Sequence, residues 1–197
     1  MKTRITLAVS ALILTIWGCK KNDVTPEQPS NTNAQELITT VILKGHNHDD
    51  PSDSLHWFTY KWEDLDGAGG NAPSFDTLAL DTGIEYHVHV LILDKSKTPF
   101  DTISKEIYNE RNVHQFFYTL SNELNGKATT EILDFDTNNP ALPVGLEFHL
   151  VTTSDQSYPT PVNGSLRMLL SHYDGVPKTT SPSAESDLDI SIPLRLK

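Results

Sequence analysis

Beyond residue 36 the apolar positions fall in short runs that alternate with polar ones, with Gly, Pro, Asn and Asp between the runs. In "IEYHVHVLIL" (84–93), Ile84, Tyr86, Val88, Val90 and Ile92 make one row. Glu85, His87, His89, Leu91 and Leu93 make the other. A strand turns successive side chains to opposite faces, so the first row meets a core and the second faces out. "DLDISIPLRL" (187–196) reads the same way, with Leu188, Ile190, Ile192, Leu194 and Leu196 inward and Asp187, Asp189, Ser191, Pro193 and Arg195 outward. Pro193 lacks an N–H and marks an edge strand. In "GLEFHLVTT" (145–153), Leu146, Phe148 and Leu150 point in, leaving Glu147 and His149 outside.

Further strands are expected over "ELITTVILK" (36–44), "LHWFTYKWE" (55–63), "DTLAL" (76–80), "VHQFFYTL" (113–120), "KATTEILDF" (127–135) and "GSLRMLLSHY" (164–173). One segment, "SKEIYNERN" (104–112), reads as a helical turn, and no long helical period appears elsewhere. Evenly spaced short strands of this kind predict an all-β, immunoglobulin-like antiparallel β-sandwich over residues 36–197, long enough for one core.

The start of the chain has a different pattern. Lys2 and Arg4 precede an apolar run, Ile5 to Ile16, that is too short to span a bilayer as a helix. This is the layout of an export signal over residues 1–18. "IWGC" (16–19) then resembles the lipobox of bacterial lipoproteins, with Trp17 where that family has a small residue. The resemblance implies cleavage before Cys19 and lipid on its sulfur, which anchors the protein to the outer membrane. An ordinary secretory signal or an uncleaved anchor is the alternative. Residues 19–35, "CKKNDVTPEQPSNTNAQ", hold too few apolar groups to offset their ordering entropy and read as a flexible tether. The charges after Cys19 loosely resemble surface-export signals of some diderm lipoproteins, so both the periplasmic face and the cell surface stay open.

Cys19 is the only cysteine, so the chain makes no internal disulfide, and lipidation removes thiolate from the candidate nucleophiles and ligands. Loss of residues 1–18 leaves 13 basic against 26 acidic side chains, a formal charge of −13. That balance argues against nucleic acid and anionic headgroups and favours attraction of cations.

Three landmarks, "ELITTV" (36–41), "DLDGAGGNAP" (64–73) and "HQFFYTLS" (114–121), resemble a family of bacterial lipoproteins found largely beside TonB-dependent outer-membrane receptors. Its members are often labelled "type 1 periplasmic binding fold". The label implies an α/β architecture, against which the strand pattern argues. The resemblance implies a location and a TonB-dependent receptor as partner, not a chemistry.

Cation attraction gives the outward histidines their interest. His46, His48, Asp49, Asp50, Asp53 and His56 crowd "GHNHDDPSDSLHW" (45–57), expected as a loop between two strands. Imidazole with carboxylate suits Zn²⁺, and also Cu²⁺ or Ni²⁺. Residues i and i+2 on a strand stand ~6–7 Å apart on one face, a span two imidazoles close around one ion. The expected ligands are Glu85, His87 and His89, with His46 and His48 completing the set if the loop folds beside the strand. The competing reading is a solvated polar surface. Zinc is expected to be captured without being needed for the fold.

Other motifs are weaker. Asp64, Asp66, Asn71 and Asp76 superficially resemble a calcium loop, but the EF-hand spacing fails, and Asx-type turns are the expected reading. His114 shares a row with Phe116, Tyr118 and Leu120 and is expected to be structural. "DSL", "DTL" and "DTI" resemble the O-glycosylation acceptor of some diderm bacteria, with Ser54, Thr77 and Thr102 as acceptors. No "HExxH", "GxSxG", P-loop or Rossmann pattern is present, so catalysis is not expected. The rival function is an adhesion or assembly lipoprotein that binds a protein or glycan without metal. Trp57 and Trp62 fall on opposite faces, which weakens a glycan platform.

Overall fold

The computed structural model describes residues 37–67, 70–154, 156 and 158–197. The expected signal peptide, Cys19, the expected tether and Glu36 lie outside the described residues.

The alternating segments form ten strands: β1 (Thr40–Asn47), β2 (Phe58–Glu63), β3 (Ser74–Phe75), β4 (Leu78–Leu80), β5 (Glu85–Leu93), β6 (His114–Leu120), β7 (Ala128–Ile132), β8 (Glu147–Thr152), β9 (Val162–His172) and β10 (Glu185–Leu196). The one α-helix among the described residues, α1 (Ile103–Asn109), packs Ile103 and Ile107 into the core. Among the described residues no helix is long and apolar enough to cross a membrane. The strands make a six-stranded sheet, β3-β2-β1-β5-β8-β7, and a four-stranded sheet, β4-β10-β9-β6. The fold is the expected all-β sandwich, open rather than a closed barrel. Every pair is antiparallel except β10 with β4.

The core lies between the sheets. Val41, Leu43, Tyr86, Val88, Val90, Ile92, Phe148 and Leu150 of the larger sheet meet Phe116, Leu166, Met168, Leu170, Leu188, Ile192, Leu194 and Leu196 of the smaller. Burying each large side chain contributes roughly 1.5–3 kcal/mol. A one-residue slip of β5 would expose Val88 and Val90 and drive His87 and His89 inward, so burial fixes the register.

Three features, one in β1 and two in β10, depart from the expected pattern. β1 starts later than expected and continues to Asn47, which takes His46 out of the expected loop and into the ladder. Gly45 makes this possible: a Cβ there would lie 2.2 Å from Phe58 Cε1, so the Phe58 ring occupies the space beside the bare backbone. β10 is an edge only as far as Pro193. β4 joins it from Leu194 onward, one residue past the missing N–H. The ladder of β10 with β9 also slips between Ser186 and Leu188, leaving Asp187 as the extra residue of a bulge. Asp187 was expected outward; its side chain is 5% exposed and lies between His114 and His172.

Candidate metal centre

The outer face of the larger sheet carries three cross-strand rows. His46 on β1 pairs with His87 on β5, His87 with His149 on β8, and His149 with Glu131 on β7. One step along, Lys44 pairs with His89 and His89 with Glu147. One step the other way, the His48 N–H donates to the Glu85 carbonyl at 2.7 Å, which extends the β1–β5 ladder past Asn47. Five of the eight histidines therefore share one face.

The imidazoles are packed, not scattered. Ring centroids lie 4.4 Å apart for His48 and His149, 5.3 Å for His87 and His149, 6.1 Å for His48 and His87, and 4.7 Å for His87 and His89. Ligand-capable atoms converge in two overlapping groups, His48/His87/His149 and His87/His89/Glu147, each within 4.8 Å. His87 belongs to both. Glu147 reaches His89 Nδ1 at 3.4 Å and His87 Nε2 at 4.0 Å.

The electrostatics keep the His87 ring available as a ligand. Burial, then the neighbouring His89 and His149, lower the His87 pKa, and Glu147 opposes them only in part. A neutral imidazole is the form that binds metal. His149 is 8% exposed even though its strand faces outward, because the neighbouring rings cover it. Its Nδ1 lies 2.7 Å from Glu85 Oε1, a separation at which carboxylate and imidazole share a proton. Its Nε2 is buried and has no hydrogen-bond partner among the described residues. A carboxylate behind a histidine, with the second nitrogen presented to the site, is how metal-binding histidines are oriented.

The five expected ligands divide accordingly. His87, His89 and His48 enter the two groups. Glu85 stands behind His149 instead of joining either group. His46 stacks on His87 at 5.4 Å and on His89 at 6.5 Å without entering either group. His149 and Glu147, which complete the two groups, were not among the expected ligands. The outward "EFH" of 147–149 repeats the spacing of "EYH" at 85–87 and was the available signal.

No family model, curated protein or solved structure matches this chain. The geometry has to carry the reading.

Beside the cluster, Lys44, Gly45, His46, Trp57, Phe58, Thr59 and His89 line an open hollow of about 380 Å³. Trp57 is 62% exposed, and its indole N–H donates to the Pro51 carbonyl at 3.0 Å. Trp62 is buried in the core, so the two tryptophans do part as expected.

The remaining motifs stay apart from the histidine cluster. His56 pairs through Nδ1 with Asp53, and its Nε2 lies 3.7 Å from Asp81. Asp50 Oδ1 accepts from the backbone and hydroxyl of Ser52. Asp66 Oδ2 accepts from the Asn71 backbone at 2.9 Å and from its side-chain amide at 2.6 Å, and these donors hold the Asp66 carboxyl below the usual range. The bond reaches five residues on, not the two of the expected Asx-type turn. Ser54 is exposed at the start of a short 3₁₀ helix and Thr77 in the link between β3 and β4, whereas Thr102 is half-buried at the start of α1.

Proposed function

We propose that this chain is a non-catalytic binding protein that captures a divalent transition metal, zinc above all, on the outer face of its larger sheet. The carrying observation is the buried His149 Nε2, without a hydrogen-bond partner and beside His48 and His87, while Glu85 engages Nδ1. His48, His87 and His149 are the primary ligands in this reading, and His89 with Glu147 offers an adjoining pair. A nitrogen-rich set favours Zn²⁺, Cu²⁺ or Ni²⁺ over Ca²⁺ or Mg²⁺. His89 or Glu147, grouped with the shared His87, takes the fourth position of a tetrahedral ion in this reading, and a filled position supports capture over turnover. The lipobox-like "IWGC" and the three family-like landmarks support a lipid anchor on Cys19 at the outer membrane, with a TonB-dependent receptor as the acceptor of the ion.

One observation favours the rival adhesion reading: exposed Trp57 walls a hollow wide enough for a sugar or aromatic ring. Calorimetric titration of Zn²⁺ into the purified protein separates the two. Loss of one tight equivalent in the His87→Ala/His149→Ala double variant supports metal capture. Zinc binding unchanged by those substitutions rejects it and turns attention to Trp57.

A further inference from the structure

The opposite sheet holds a second convergence of ligand-type groups, on its inner face at the end of the core. His114 on β6 pairs directly with His172 on β9, and their rings lie 4.3 Å apart. The bulge in β10 turns Asp187 onto this pair. Its Oδ2 stands 3.5 Å from His114 Nε2 and 3.6 Å from His172 Nδ1. We infer that His114, His172 and Asp187 form a second, structural metal site, for zinc by ligand type and spacing.

Two further features support it. The His114 ring is 1% exposed, and its Nδ1 lies 3.2 Å from the Glu110 carbonyl. A carbonyl only accepts, so Nδ1 carries the proton and Nε2 is the nitrogen turned to Asp187. This is again the outer contact that orients a metal-binding histidine. The Asp187 Oδ2 is buried and accepts no hydrogen bond among the described residues. A carboxylate taken out of water needs a compensating cation. One proton on either ring would serve only one contact, and two imidazolium rings at this separation would repel. A divalent ion bonds to all three groups. Donors ~2.0–2.1 Å from a tetrahedral ion stand roughly 3.3–3.4 Å apart, close to both observed separations.

This site differs in kind from the outer one. It lies inside the sandwich with His172 as its more exposed edge, one-fifth accessible. It joins three strands where the β9–β10 ladder slips, so the bound ion replaces cross-strand ties that the bulge interrupts. The bulge then has a purpose: in an unbroken ladder Asp187 would point outward with Asp189.

The test is zinc stoichiometry by titration and metal analysis on the full protein. In the His87→Ala/His149→Ala background, one equivalent should remain, raise the melting temperature, and vanish on adding His172→Gln. Co²⁺ in that background should give the intense visible absorption of a tetrahedral site. Asp187→Asn should also lose the ion. His172→Gln carries the test if Asp187→Asn fails to fold, because its ring is the more exposed. Absence of the remaining equivalent, or its survival through His172→Gln, overturns the inference. Failure of the outer-face proposal is separate: the outer double variant would then bind as much zinc as the parent.

Discussion

Glu85 and His149 are diagonal neighbours on the outer face, not cross-strand partners. Glu85 pairs with Val151, yet its carboxylate reaches back to within 2.7 Å of His149 Nδ1. The contact fixes which nitrogen of a buried imidazole holds the proton and which faces His48 and His87. A glutamate that reads as a ligand by spacing thus acts one contact further out.

This makes Glu85 a positioning residue with a graded effect. Glu85→Ala should weaken zinc binding about 10- to 100-fold, the usual consequence of losing an outer partner. Glu85→Gln keeps an acceptor for the Nδ1 proton and should lose less. Competition titration against a chromogenic chelator reads both affinities. The unfolding midpoint of the metal-free protein should move little, because Glu85 is partly exposed.

Gly45 sets the shape of the strand that brings in His46 and His48. Gly45→Ala should cost about 1–3 kcal/mol, because its Cβ would overlap the Phe58 ring, which itself packs edge-on to Tyr86. Displacing β1 should also lower metal affinity. Gly126 is the control: its φ is +71° with nothing within 4 Å of an added Cβ. Gly126→Ala should cost about 1–2 kcal/mol of backbone strain and leave metal binding intact. Denaturant unfolding and zinc titration on both variants separate the two effects.

Much of this was legible in the sequence where one face of a strand is apolar. β5 alternates from Glu85 to Val90 and β8 from Leu146 to Leu150, so Glu85, His87, His89, Glu147 and His149 all fall on outward rows. Alternation assigns a face but not a neighbour. That β8 lies beside β5, and so sets His149 against His87, depends on long-range pairing that local pattern does not encode. Gly45 hid the continuation of β1, because glycine reads as a break unless a ring such as Phe58 fills its space. Asp187 was misplaced for the opposite reason: a single inserted residue reverses facing without changing composition.

A buried ion pair makes the fold sensitive to acid. Lys178 Nζ lies 3.1 Å from Asp136 Oδ2 with both side chains fully covered, and the ammonium also donates to the Arg111 carbonyl at 2.9 Å. Burial pushes the Asp136 pKa up, but the backbone N–H groups of Leu142 and Asn138 and the Lys178 ammonium outweigh it and hold the carboxyl below its ordinary value. Burial lowers the pKa of Lys178. A carboxylate depressed in the folded state contributes its full stability above the unfolded value of ~3.9 and loses it as pH falls through the folded value. Asp136→Asn should flatten that part of the acid-unfolding curve. Lys178→Met should cost about 3–5 kcal/mol at neutral pH, since it strands a buried carboxylate.

His46 and His48 are alternate residues on one strand face, and a two-histidine motif alone would treat them as equals. Their surroundings differ. The His48 ring sits 4.4 Å from His149 and joins the group with His87, whereas His46 stacks on His87 and tilts toward Trp57 at 6.4 Å. His48→Ala should therefore reduce zinc affinity more than Glu85→Ala does, because it removes a ligand and not the support of one. His46→Ala should leave zinc affinity nearly unchanged while altering the hollow it shares with Trp57, Phe58 and His89. Zinc titration of the two variants, with Trp57 fluorescence followed in parallel, checks both halves. The fluorescence should respond to His46→Ala, whose ring is within reach of the indole.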